Sequence, residues 1–559
     1  MGKKIVLVVA LLVLLPTLIF AKDVGSKIVL YPDKLYQDMD ALYLISGRAY
    51  PSQSRPWTVS EAYKYLNEVD KSKLNENGLK IYEKVVARLK DLEPTFSVED
   101  GLTLGLGLDV NFNMRTHTNS SYDLKGDWLD KTIPPLLRLN VGFGVTDHLF
   151  FQTEFNLMVS EYSDGDVTSP VPSFGVGALI KPGEKANYLT HSDYYSKVFE
   201  TNLIDGKHRV DLYWPKNCYI SSSFDHFNIS LLRGRASLGN GKMGQLLLSG
   251  DNVNNLFRFT ATTKYFKFDW INLFFQDERR EQEMPLEKFK MQMVHRFEVR
   301  PLPYLTLSLS DSVMFSSSVV ELGYLNPSYI FHNLYNRNVL NAIAFLEFSV
   351  TPLKGWSLYS DFVLDQAQSI GETDWEADAY GFIVGSEYDH VVKTGILKCY
   401  AEYAYTTPCL YRRDKVDFTT MIPHYAPNYT EAVEFSYIGF SYGPDSQVLE
   451  LNFTYDSFRN FTLPLFMTLV RKGEMDFLTP HNTDGTNTST SNISDKTPYG
   501  NIVSDKMILS FRPEVSLPYG FSLNASLAWI GKRKFDKKAE SYLNHSSDFQ
   551  FTFGVKYSI

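Results

Sequence analysis

Arg296, Glu298 and Arg300 alternate within MVHRFEVRP. A strand would put all three on one face, two cations flanking a carboxylate. Further carboxylates recur in the same alternating texture at Glu347, Asp361, Asp365, Glu402 and Glu450, with basic residues at Arg233 and Arg235. Paired carboxylates can do acid–base work, but a glycosidase needs them set about 5 or 6.5–9.5 Å apart, a spacing no sequence displays. The simpler chemistry is architectural: on an enclosed face these charges satisfy one another as a ladder of ion pairs. His295 falls between Met293 and Phe297 on the apolar side, as a packed residue would. Gly239, Gly241 and Gly244 spell G-x-G-x-x-G. Phosphate binding by that motif requires a preceding strand, a following helix and a βαβ unit. Strands flank it here without crossover helices, so a turn needing positive φ is the better account. H-E-x-x-H does not occur, and no catalytic set or cofactor is expected. Three cysteines are too few for a disulfide framework or a thiolate metal site. Cys399 and Cys409 could bridge a hairpin, or all three thiols could be free.

These side chains need a wall to hold them, and the chain supplies one from about residue 100 onward. Leu102, Leu104, Leu106, Leu108, Val110, Phe112 and Met114 alternate with Thr103, Gly105, Gly107, Asp109, Asn111, Asn113 and Arg115. The same period of two returns at 149–157, 292–310, 449–456, 521–529 and 549–559. Phe and Tyr number 39 and 35, yet mean hydropathy is only −0.20. That combination fits apolar residues alternating with polar ones in a transmembrane barrel, whose hydropathy per segment is weak. A soluble sandwich also alternates, but many of these segments are long enough to cross a bilayer at a tilt. Their polar faces carry charges in consecutive strands, and aromatics cluster near strand ends. Roughly 16 to 20 strands can be marked, and about 18 suits the length. The expectation is an all-β transmembrane outer-membrane barrel of antiparallel strands, lipid outside and a polar lumen within. A C-terminal strand rich in Phe and Tyr looks like the signal read by the barrel-assembly machinery.

Residues 1–21 combine Lys3 and Lys4, an apolar run and Ala21, as a secretory signal peptide does. Residues 22–98 have helical spacing instead. Leu35, Met39, Leu42 and Ile45 form one stripe; Val59, Ala62, Tyr63, Leu66 and Val69 form a second; Leu79, Tyr82, Val86 and Leu89 form a third. Thr58 and Glu61 make a capping box for the second helix. Helices cannot join a barrel wall, so this small α-helical module belongs on the periplasmic side at or under the mouth, with the barrel at 99–559. Polar stretches at 472–501, 114–134 and 406–432 read as external loops, and Pro301-Leu302-Pro303 and Leu353-Lys354-Gly355 as periplasmic turns. The formal charge of −9 gives no reason to expect nucleic acid.

Several segments, in order, resemble the capsule-assembly outer-membrane proteins of the Wzi type. They are Ser54-Arg55-Pro56, residues 232–252 with Gly239, Gly241 and Gly244, His295 to Pro301, then Glu321-Leu322-Gly323-Tyr324-Leu325-Asn326-Pro327, and 356–365. The set spans about 310 residues, and the last 180 match only in texture. The resemblance implies an 18-stranded barrel with a periplasmic helical module. It also implies a non-enzymatic, lectin-like role, holding exported capsular or exopolysaccharide at the cell surface. Sugar-contacting residues do not transfer, because the loops match least. From the residues alone, a porin or solute channel is the alternative, since that many strands can enclose water.

Overall fold

The structure, a computed structural model, describes residues 25–92, 96–99, 102–119, 134–146, 148–157, 187–189, 199–203, 217–276, 289–317, 326, 328, 340–366, 377–413, 416–425, 431–476, 479 and 496–559. The expected signal peptide lies outside them, as do Glu321, Tyr324 and Pro327.

Eighteen long strands form a closed antiparallel barrel, running from Leu102–His117 to Ser541–Ser558, each beside its sequence neighbours. The last strand pairs with the first, Ser558 opposite Asp109, so no edge is left open. The alternation decides which face is wet. Phe297 is 44% exposed on the outer face, whereas Glu298 beside it is 1% exposed inside. Leu309, Leu346, Phe453, Leu465 and Leu527 continue the outward apolar belt. Tyr265, Tyr304 and Tyr519 stand exposed in the short turns at one end, an aromatic rim with a polar tip toward water.

At that short-turn end sit three helices: α1 (Lys34–Ile45), α2 (Val59–Asn67) and α3 (Glu76–Asp91). Asp33, Thr58 and Asn75 cap them by accepting backbone N–H bonds from Leu35, Glu61 and Gly78. Only half of the expected capping box forms, because the Glu61 carboxylate turns away to Tyr65 Oη and Lys267 Nζ. The third stripe is also rotated from its expected position. Ile81, Tyr82, Val85 and Leu89 are buried, while Leu79 is exposed. α1 departs further from a surface helix, since Asp38 and Asp40 are buried along with its apolar residues. One side meets α3 and the other meets the barrel wall, where Gly355 N–H donates to Leu44 O over 2.7 Å.

Between α1 and α2 the chain leaves the mouth and enters the lumen. Ser54–Arg55 pairs there with Ser237–Leu238, which in turn pairs with Leu248–Ser249. Residues 235–253 connect two wall strands at the long-loop end, so they reach inward from the opposite side. The barrel thus holds a three-stranded sheet in its interior, built by segments that enter from both ends. Residues 407–413, 416–418 and 437–445 follow the same inward path. Leu246, Leu248, Leu410, Phe418, Ile438 and Phe440 pack against lumen-facing Ile343, Phe345, Val363, Ile383 and Val448. The stretch 406–432, expected as an external loop, is therefore partly an internal core: its described residues 407–411 are all buried. Leucines that water would penalise explain why these segments turn inward.

Candidate functional site

The polar half of the lumen is organised around Arg296, 1% exposed. Its Nε donates to Glu347 Oε2 at 2.6 Å, Nη1 to Glu298 Oε2 at 2.7 Å and Nη2 to Ser308 Oγ at 2.7 Å. Arg300 Nη2 holds the other Glu298 oxygen at 2.7 Å, and Ser52 Oγ from the inserted segment donates to Glu298 Oε2 at 2.7 Å. The wall positions Arg296 and Glu298 two residues apart on one strand, and Glu347 lies two strands over. Arg258, whose significance the sequence did not disclose, pairs with Asp269 at 2.7 Å and donates to Ser54 Oγ at 2.8 Å. Lys267 pairs with Glu61 of α2. Each charge is buried but paired, as burial requires. The inserted segment is thereby wired to three adjacent wall strands, through Arg258, Lys267 and Glu298.

Asp361 differs from Glu347. Among the described residues no cation is bonded to it; it receives the glycine-rich loop instead. Its Oδ2 accepts from Asn240 N at 2.8 Å and Gly241 N at 3.1 Å, and its Oδ1 from Asn240 Nδ2 at 2.8 Å. Glu402 accepts from the next two amides, Lys242 N at 2.7 Å and Met243 N at 2.9 Å. Successive backbone N–H groups do form an anion-receiving concavity. Here it is filled by the barrel's own carboxyl groups. Gly239 and Gly244 take φ of +131° and +148°, and a Cβ on Gly241 would lie 2.2 Å from Gly244 O. The motif is a turn, as its residues suggested, and a latch as well.

Lys242 carries the latch onward to the helical module. Its Nζ is 3.0 Å from Glu387, 3.5 Å from Asp40 and 4.3 Å from the Tyr50 ring centre. Arg55 is 2.8 Å from Asp40, stacks 4.7 Å from the Tyr36 ring centre and precedes Pro56, whose carbonyl accepts from Arg258 Nη1. Burial alone would raise the Asp40 carboxyl; Arg55, then Lys242, overcome it and hold it below its ordinary value. Asp38 is likewise lowered against its burial by Lys84, Lys398 and Arg88. A carboxyl depressed in the folded state contributes stability above its unfolded pKa, near 3.8, and loses it as the pH falls lower. At pH 3, amides of α1 and residues 49–58 should therefore lose hydrogen-exchange protection relative to the wall strands. An unchanged ratio between pH 7 and pH 3 would refute this.

Four sequence-based readings are corrected or bounded here. Arg233 does not line the lumen: its strand places Leu232 and Gly234 inside, so Arg233 points outward, where Nη1 reaches Asn255 Oδ1 at 3.3 Å. Arg235 lies beyond that strand end, half-buried, and takes no part in the Arg296 ion pairs with Glu298 and Glu347. The Cys399–Cys409 bridge is absent, and none of the three cysteines is in a disulfide; Cys399 is on the outer face and Cys409 in the inward segment. Of the Tyr-Leu-Asn-Pro stretch only Asn326 is described, accepting from Ser328 N at 3.0 Å. His295 is on the outer face as expected, 6.2 Å from the Phe268 ring centre.

No protein-family model matches this sequence, and no curated protein sequence does. Solved structures do. The Escherichia coli protein Wzi, described as an outer-membrane protein involved in group 1 capsule assembly and a carbohydrate-binding β-barrel, is 13% identical with a TM-score of 0.57. That match covers 95% of this chain and 99% of Wzi. Acinetobacter baumannii OccAB4 (8% identity, TM-score 0.38) and Pseudomonas aeruginosa OprD (9%, 0.35) each match 82% of this chain and 98% and 95% of their own. Those two scores are too low for any comparison of detail. With its closed 18-stranded wall and helical module, the chain shares the fold of the Wzi barrel.

Proposed function

We propose that the chain is a non-enzymatic outer-membrane barrel that retains exported capsular or exopolysaccharide at the cell surface, its helical module on the periplasmic side. The observation that carries this reading is the occupied lumen. Segments entering from both ends meet in one sheet, and charged and apolar layers fix them to the wall. A diffusion pore needs that space for water. The shared fold with a barrel described as carbohydrate-binding supports the choice of ligand.

The test is surface retention. Residues 472–476 and 496–501 are anchored in the structure, with Asp445 accepting from Met475 N and Tyr499 N, so the deletion is confined to 480–495. Surface-bound polysaccharide should fall severalfold while total export is unchanged. Retention unaffected by this and every other long-loop deletion would sink the proposal. Steady open-pore current from the native protein would favour a porin.

A further inference from the structure

The plug does not contact the whole wall. On the side formed by Leu102–His117, Ile502–Phe511, Phe521–Asp536 and Ser541–Ser558, the lumen retains a cavity of about 260 Å³. Register arranges its lining in two layers. Arg115, Thr552 and Ser526 sit opposite one another across adjacent strands, with Arg512 next in line. One step toward the short turns come Asn113, Gly554, Asn524 and Glu514.

Two features give the cavity a ligand chemistry. Arg512 makes no side-chain hydrogen bond or ion pair among the described residues, and its Nε is buried without a partner. The guanidinium is held 5.6 Å from the Phe466 ring centre, a stacked geometry that leaves its terminal nitrogens to a planar anion. The Glu514 carboxylate, which could have neutralised it, is engaged by Lys34 of α1. Around this cation stand two carboxamides, Asn113 and Asn524, and two hydroxyls, Ser526 and Thr552. Asn524 is exposed although it faces the lumen, so solvent reaches the site. Gly554 keeps it wide: a Cβ there would lie 2.1 Å from Asn524 Oδ1 and 2.4 Å from Asn113 Oδ1.

We propose that this cavity binds one acidic sugar residue, a uronate, with Arg512 on its carboxylate and the amides and hydroxyls on its ring hydroxyls. The volume is below the usual range for a drug-sized ligand and suits a single ring. This deepens the polysaccharide reading but can fail separately, because the 480–495 deletion leaves every residue of the cavity in place.

The experiment is titration of the purified full-length barrel in detergent with glucuronate, glucose and inorganic phosphate. Glucuronate should bind in preference to both. Arg512→Gln should weaken it roughly tenfold or more, the scale of a lost charge-assisted bond. Gly554→Val should abolish it by occupying the cavity, with strand content by circular dichroism confirming that each variant folds. Glucose binding as well as glucuronate would remove the acidic specificity, and phosphate doing so would remove the sugar. Glucuronate affinity unchanged in Arg512→Gln would overturn the site.

Discussion

Arg296→Met is expected to destabilise the barrel by about 3–5 kcal/mol, the scale seen when one member of a buried ion pair is removed. Arg296 is the only cation within bonding distance of Glu347 among the described residues. Without it, a carboxylate 5% exposed has no counter-charge. Glu298 fares better, since Arg300 and Ser52 still hold it. The cost is therefore concentrated on Glu347, which supplies an internal check. Adding Glu347→Leu to Arg296→Met removes the stranded charge and should recover a large part of the loss. The readout is the denaturant midpoint of the detergent-solubilised barrel, with protease cleavage of 49–58 reporting release of the inserted segment. An Arg296→Met protein with an unchanged midpoint would show that the ladder is dispensable. A double variant no better than the single would show that the loss comes from packing.

How much of this was legible beforehand follows from what alternation can and cannot encode. The wall was readable because a strand with lipid outside and a filled lumen must alternate, and Arg296, Glu298 and Arg300 share a face for that reason alone. The partners across the lumen were not. Lys267 meets Glu61 and Lys242 meets Asp40 over 206 and 202 positions of sequence, and periodicity within a strand says nothing of such distances. The inward segment within 406–432 was misread for a related reason. It has the turn residues of a loop, and a loop directed into a barrel has the same local chemistry as one directed outward. One signal was present: Leu246-Leu247-Leu248 and Leu410-Tyr411 are apolar runs that solvent-facing loops rarely carry. Arg233 was misplaced because a charge near a strand end can reach water from either face. The Asn113–Arg512 cavity was missed because its residues come from four strands whose register only the closed barrel defines.

The second large effect concerns the seal. Gly241→Val should convert a silent barrel into a conducting one. The new Cβ would sit 2.2 Å from Gly244 O and 3.0 Å from Ile383 Cδ1. The first obstacle is backbone, which no rotamer change can clear, so the loop itself must move. Four backbone amides, those of Asn240, Gly241, Lys242 and Met243, would leave Asp361 and Glu402. Each such hydrogen bond contributes roughly 0.5–1.5 kcal/mol net, and all four hold the same short loop to the wall. Two lumen carboxylates would then recruit water in place of amides, and Lys242 would no longer tie the loop to Asp40 and Glu387. The wall is untouched, because residues 235–253 contribute no strand to it. Planar-bilayer recording should show near-zero current for the native protein and discrete open steps for the variant, with strand content unchanged by circular dichroism. A folded Gly241→Val barrel that stays silent would place the seal in the helical module instead of the latch, and a native barrel that conducts as freely as the variant would mean the latch closes nothing.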